Sequence, residues 1–414
     1  MKRLPENGVG WDVLKAELQA AKSNDFDWRK GVLPLYVYWR DDALEEVVRE
    51  THALFFVENA LGRRAFPSVA RLEAEVIEMA LGLFNADAGA GGSFTVGGTE
   101  SIFQAVKTAR DRARAIQPSA KQPNIVIPYS AHPAFNKAAH YLDIDVVRVP
   151  LRHDYRVDVV AMDRAIDDNT ILIAGSAPGF PHGVFDPIEE LASLALARDL
   201  WFHVDACVGG FLAPFVRRIG YPVPAFDFSV PGVTSLSADL HKFGFAAKGA
   251  SLILFRDAEM QRYQHFEFRD WPRGFYATET FLGTRAGAPV AVAWAVMNYL
   301  GEEGYLASAR TIMATKERLV RGIQAIPGLQ VIEPNALSFV LYRSTDPRVD
   351  IAAVADAMAE RGWFVGRSVE PPAIHLMLNP VHEPFVDRYL ADLANATAEA
   401  RRLERVGTVD ERTY

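Results

Sequence analysis

Apolar positions along the chain follow two alternating rhythms. From Pro67 the segment SVARLEAEVIEMALGLF sets Val69, Leu72, Val76, Met79, Ala80 and Leu83 at helical spacing, and Asn85 with Gly89 closes it. Short apolar or β-branched runs then alternate with amphipathic stretches. The predicted strands are NIVIP (124–128), VVRVP (146–150), TILIAGS (170–176), WFHVDA (201–206), SLSAD (235–239) and SLILF (251–255), with SFTV strand-like before them. Helical stretches such as ESIFQAVKTARDRARAI, HPAFNKAAHYL and PIEELASLALARD lie between. Strands separated by helices predict an α/β fold of β-α-β units, its mainly parallel sheet covered on both faces.

Beyond about residue 300 the rhythm changes to a long helix (ASARTIMATKERLVRGIQAI), then SFVLYR, a second helix and AIHLMLN. This reads as a separate α+β unit. Residues 1–55 are aromatic and irregular, too short for a core of their own. The expected organisation is an N-terminal arm over 1–55 that packs on the body or a neighbouring subunit, a large domain over 56–300 and a small C-terminal domain over 301–414.

A length of 414 residues suits one large domain with a smaller one. Half the chain is apolar and 23% is charged, which excludes disordered, collagen-like or disulfide-stapled classes. The net charge of −8 argues against a nucleic-acid or anionic-membrane partner. Cys207 is the only cysteine, so neither an internal disulfide nor a cysteine zinc cage can form. The opening MKRLPENGVGWD has no signal-peptide pattern, and the longest apolar run, Ala286 to Leu300, is shorter than the ~20 residues of a membrane span. A cytoplasmic enzyme is expected.

Three short segments carry candidate chemistry. Gly97-Gly98-Thr99-Glu100-Ser101 sits between a strand and a helix, where backbone N–H groups can approach an anion. A structural Gly-Gly turn with Thr as helix cap reads the same way. His203-Val204-Asp205-Ala206-Cys207 ends a strand, placing a carboxylate at the mouth of a parallel sheet. The competing reading makes Asp205 a helix cap and His203 a satisfied core histidine. In Ser237-Ala238-Asp239-Leu240-His241-Lys242-Phe243-Gly244, a lysine follows a strand and precedes apolar residues. Such company is expected to lower its pKa and favour the neutral amine of a Schiff-base lysine. A snorkelling surface lysine next to Lys248 is the alternative.

In combination and order the three are far more specific. A glycine cradle for a phosphate, an acid at a strand end and then a lysine are what pyridoxal 5'-phosphate requires: an anchor, a partner for the pyridine nitrogen and an imine-forming amine. His132 in SAHPAFNKAAHY is the candidate ring plate, with a helix N-terminal role as its alternative.

At this point the chain resembles the sphingosine-1-phosphate lyases, within the group II pyridoxal-phosphate-dependent decarboxylase superfamily. The resemblance runs from about Phe66 to Leu378. It includes FPSVARLEAE, GGTESI, APGFPHGVFDPI, HVDACVGGFLAPF, FDFSVPGVTSLSADLHKFGFAAKGASLILF, DWPRGFYATETFLGTRAG and PPAIHLML. It implies fold type I, the aspartate-aminotransferase-like fold with a seven-stranded sheet, and a homodimer with shared active sites. It implies Lys242 as the covalent anchor, Asp205 on the pyridine nitrogen and His132 stacked on the ring. Gly98, Thr99, Ser176 and His241 join the cofactor site, and Thr284 in GTRAG reaches the neighbouring subunit's cofactor phosphate. Tyr38 and Lys248 match positions near the substrate's polar head.

There are departures. The lyases' Leu-His-Pro is Leu61-Gly62-Arg63 here, so Gly62 takes the place of a phosphate-contacting histidine. Arg63, with Arg64 after it, would suit a carboxylate-bearing substrate if it faces the pocket. The family's Tyr-Gly-Gly is Tyr38-Trp39-Arg40, and the end GTVDERTY matches the family's tail poorly. The implied activity is carbon–carbon cleavage of a β-hydroxy amine or amino-alcohol phosphate with release of an aldehyde. Amino-acid α-decarboxylation is the alternative; an aminotransferase or a catalytically silent dimer ranks below both.

Overall fold

The computed structural model describes residues 1–116 and 122–408, so the last six positions of GTVDERTY lie outside the described residues. In chain order the first elements are α1 (Trp11–Ala21), α2 (Asp42–Leu54), α3 (Pro67–Leu83), β1 (Gly91–Thr95), α4 (Gly98–Ile116), β2 (Asn124–Pro128) and α5 (Ala134–Leu142). Then come β3 (Asp145–Val149), α6 (Val159–Ala165), β4 (Thr170–Ser176), α7 (Ile188–Arg198), β5 (Trp201–Asp205), α8 (Ala213–Arg218), β6 (Ser235–Ala238) and β7 (Ser251–Phe255). These build a seven-stranded sheet in the order β1-β7-β6-β5-β4-β2-β3. Only β7 runs against its neighbours, β1 and β6.

Strands β2, β4, β5, β6 and β7 are buried at every position, as a sheet covered on both faces demands. Alternation sorts their side chains. Ile125 and Ile127 join Ile102, Ala105, Phe135 and Ala138 of α4 and α5 in one core, whereas Val126 joins a larger core on the opposite face.

The chain continues through α9 (Ala258–Gln261), a hairpin of β8 (Phe266–Phe268) and β9 (Tyr276–Thr278), and α10 (Gly287–Gln324). Two helical segments meet in α10 at Gly301, whose φ of 52° and ψ of −171° no helix accommodates. A four-stranded antiparallel sheet follows, ordered β10 (Leu329–Val331), β11 (Phe339–Ser344), β13 (Pro372–Met377) and β12 (Gly366–Val369). With α11 (Ile351–Glu360) and α12 (Val386–Leu403) it encloses a second core around Tyr342, Val354, Trp363 and Leu393.

The first 55 residues are more ordered than their aromatic, non-periodic sequence predicts. Asp41 caps α2, accepting a hydrogen bond from the Leu44 amide at 2.8 Å, and Leu44 is buried. The stretch before it follows the small sheet: the Phe364 amide donates to the Val32 carbonyl, and the Met377 amide to that of Pro34, both at 2.8 Å. Backbone pairing of this kind leaves no hydrophobic period to read. It also brings Leu35 and Tyr38 to the mouth of the large sheet.

Candidate active site

Parallel strands deliver their last residues to one edge of the sheet, and this edge is where a ligand of an α/β fold binds. Ser176 ends β4 and stands opposite Asp205, which ends β5; Asp205 in turn stands opposite Ser237 on β6. The Asp205 carboxylate accepts hydrogen bonds from the Cys207 amide at 3.0 Å and from Ser237 Oγ at 3.4 Å, both on Oδ1. Its neighbour two residues back has a different task. His203 is fully buried between Ser235 Oγ (2.8 Å) and Ser237 Oγ (3.2 Å), and burial lowers its pKa to about 4. It is thus a satisfied core histidine, while Asp205 faces a cavity.

That cavity encloses about 420 Å³. It brings together Tyr38, Gly98, Thr99, His132, Ser176, Asp205, His241, Lys242 and Lys248, nine positions drawn from six parts of the chain. The first turn of α4 opens into it, and first-turn N–H groups have no acceptor within their own helix. Glycine is required in that turn: a Cβ on Gly98 would lie 2.7 Å from Cys207 Sγ and 2.9 Å from Asp239 Oδ1. His132 lies just before α5, its Nδ1 accepting a hydrogen bond from the Ala134 amide at 3.1 Å, so the imidazole both caps the turn and lines the cavity. Burial lowers the His132 pKa, with the carboxylate of Asp205 pulling the other way.

The lysine corrects a sequence expectation. Burial does act to lower the pKa of Lys242, but the net shift is upward, because its Nζ stands 2.9 Å from Asp239 Oδ2. Asp239 is buried and also lies 3.5 Å from His241 Nε2. Local apolar company suggests a neutral amine; an acid three residues upstream, folded back by the turn, overrides it. The sequence signal was present as the spacing Asp239–Lys242, read only as strand end and lysine. Lys248 behaves as Lys242 was expected to. Burial and the neighbouring Lys242 charge bring its pKa to about 8, while its Nζ donates to the His241 carbonyl at 3.1 Å.

Two candidate residues lie outside this cavity. Arg63 lines a second cleft, where its guanidinium pairs with Glu279 at 3.1 Å, and Arg64 lines the same cleft. Thr284 is exposed, between Gly283 and Arg285 at that cleft. Residues that sequence reasoning passed over complete the first cavity: Leu35, Ile102, Phe180, Val208 and Met377 give it an apolar wall. They carry no motif; only the fold gathers them.

The site residues fit pyridoxal phosphate on the structure's own terms: an amine, an acid at a strand end, an imidazole and a glycine-tight helix start face one cavity. This constellation on this sheet defines a pyridoxal-phosphate enzyme of fold type I. The chain belongs to the pyridoxal-dependent decarboxylase family, whose conserved domain matches residues 53–344. Within it the chain is sphingosine-1-phosphate lyase-like. It is 42% identical to the sphingosine-1-phosphate lyase of Arabidopsis thaliana, over 95% of this chain and 73% of that protein. It is 39% identical to sphingosine-1-phosphate lyase 1 of Rattus norvegicus, over 99% of this chain and 72% of that one. Among solved structures, a sphingosine-1-phosphate lyase of Burkholderia pseudomallei superposes with a TM-score of 0.92 at 36% identity, covering 97% of this chain and 94% of that chain. The protein is a pyridoxal-phosphate-dependent lyase. No helix among the described residues is long and apolar enough to cross a membrane.

Proposed function

We propose that this enzyme cleaves the Cα–Cβ bond of a β-hydroxy amine bearing an anionic head group, an amino-alcohol phosphate, and releases an aldehyde. One observation carries the reading: the cavity that holds Lys242, Asp205 and His132 also holds Lys248 and Tyr38, beside an apolar wall of Leu35, Ile102, Phe180, Val208 and Met377. Cationic Lys248 would receive the head group, and the wall would receive an apolar chain.

When bound, pyridoxal phosphate supplies an electron sink for the bond being broken. Gly98, Thr99 and His241 would hold its phosphate, Ser176 would border it and His132 would lie against its ring. Asp205 would keep the ring nitrogen protonated, since a carboxylate there favours the cationic form. Lys242 Nζ would be the cofactor's covalent anchor and, once the substrate amine is in place, would stand as the proton donor to Cα. Orientation against His132 and Asp205 selects which bond is broken.

A homodimer follows from the same reading. Leu54, Phe56, Val57, Phe266, Phe275 and Phe281 are exposed, an apolar load that suits burial against a second copy. Arg63 and Thr284 would then serve the neighbouring subunit's site from the second cleft. The cytoplasm is the compartment we assign, on a net charge of −8 and a single unpaired cysteine.

α-Decarboxylation is the second reading. It is favoured by 37% identity to a probable L-tyrosine/L-aspartate decarboxylase of Methanothermobacter thermautotrophicus, over 82% of this chain and 91% of that one. A panel of amino-alcohol phosphates and amino acids, scored separately for aldehyde and carbon dioxide, decides between them. Aldehyde without carbon dioxide is expected, and stoichiometric carbon dioxide from an amino acid would overturn the lyase reading.

A further inference from the structure

Asp239 has no part in the scheme above, yet it is the acid in the cavity that pairs directly with Lys242. It follows β6, is 2% exposed, and its Oδ2 lies 2.9 Å from Lys242 Nζ. The same oxygen lies 3.5 Å from His241 Nε2. The tautomer of that imidazole is fixed: His241 Nδ1 accepts from the Ala250 amide at 3.2 Å, so Nε2 carries the proton and points at the acid. Asp239 Oδ1 is buried with no hydrogen-bond partner and packs against the Gly98 backbone position. The carboxylate is thus wedged between the helix turn, the histidine and the lysine.

An unpaired carboxylate at such depth would be strongly disfavoured, so the acid and the ammonium stabilise each other here. The pairing has a chemical consequence. A lysine that gives up its covalent bond to the cofactor must wait within reach and must hold a proton if it is to return one to the substrate. We propose that Asp239 is a positioning residue for Lys242: its carboxylate receives the amine each time it is released and keeps it as the protonated donor for Cα. Released as a neutral amine, Nζ takes up the β-hydroxyl proton, the O–H bond breaking as the aldehyde carbonyl forms, and then passes a proton to Cα, an N–H bond breaking as a C–H bond forms. The neutral amine left behind is the form that can recapture the cofactor. Asp239 touches neither substrate nor cofactor in this role; it acts through Lys242. The proposal rests on Lys242 being the cofactor's anchor.

The test compares the wild-type enzyme with Asp239→Asn, which keeps the side chain's size and removes its charge. In the holoenzyme, kcat is expected to fall about 10- to 100-fold with KM within about threefold of wild type, the signature of an impaired proton transfer. The second readout does not use activity. Trace acetylation of the full-length chain freed of cofactor, followed by peptide mass spectrometry from pH 6 to 11, reports when each lysine becomes a neutral amine. Lys242 is expected to label at higher pH than exposed Lys15 in the wild type and at clearly lower pH in Asp239→Asn than in the wild type, because burial is then opposed only by Tyr38 and Cys207. An unchanged Lys242 profile in the variant would overturn the proposal. Where circular dichroism shows that the variant does not fold, the wild type decides by itself: labelling at or below the pH of Lys15 removes Asp239 from this role. Cofactor found on another lysine in the wild type would instead sink the functional reading while leaving the labelling result intact.

Discussion

The ammonium nitrogen of Lys248 lies 4.8 Å over the centre of the Tyr38 ring. Tyr38 in turn meets Phe243 edge-on at 5.1 Å, next in sequence to Lys242. An arm residue and a loop residue are therefore held together across the cavity mouth by an electrostatic contact with a ring face. Burial and the charge of Lys242 bring the Lys248 pKa to about 8. The sign is plain: a lysine is cationic below its pKa, so an anionic head group is gripped below pH 8 and released above it. KM for an amino-alcohol phosphate is expected to rise as pH passes 8, towards the value of Lys248→Met, itself about 10- to 100-fold above wild type at pH 7. Steady-state kinetics from pH 6.5 to 9.5 check this. A flat KM in the wild type would remove Lys248 from head-group binding.

Gly98 admits no side chain. With Cys207 Sγ at 2.7 Å and Asp239 Oδ1 at 2.9 Å from its Cβ position, Gly98→Ala must push the first turn of α4 outwards. The dissociation constant for pyridoxal phosphate is expected to rise at least about tenfold, since a small misplacement of anchoring groups is costly. Adding Cys207→Ala opens the nearer contact and should recover part of the loss. Titration of cofactor absorbance measures both.

Three buried histidines act to weaken the fold as the pH falls. His203, His375 and His382 each have a pKa lowered to about 4 by burial, against 6.5 as the ordinary value. Between these values the unfolded chain binds protons that the folded chain does not, so stability falls as pH drops from 6.5 to 4. Linkage puts the loss at roughly 3 kcal/mol per histidine over the full window. Denaturant midpoints measured from pH 7 to 4 should fall steeply below 6.5; a flat profile down to pH 4.5 would contradict the assignment.

How legible the site was depended on where each residue's constraint came from. TILIAGS and SLILF are strands at the residues the sequence predicts, because burial on both faces leaves an uninterrupted apolar run. The hairpin at 266–278 was not read: Phe266, Glu267 and Phe268 are all exposed, and exposed pairs carry no burial pattern. The arm looked irregular because its order comes from backbone bonds to the small sheet. Gly98, His132, Asp205 and Lys242 were found through motif order, and the fold does bring them to one cavity. Asp239 was missed because linear company says nothing of a carboxylate folded back by a turn. Arg63 lines a separate cleft and exposed Thr284 lies beside it, between Gly283 and Arg285, a separation no one-dimensional pattern encodes.

The most direct measurement is chemical. Borohydride reduction of the yellow holoenzyme, followed by peptide mapping, should place a single pyridoxyl group on the peptide containing Lys242, and Lys242→Ala should bind no cofactor covalently and turn over no substrate. A pyridoxyl group on Lys248 or any other lysine, or near-normal turnover by Lys242→Ala, would contradict the account at its root.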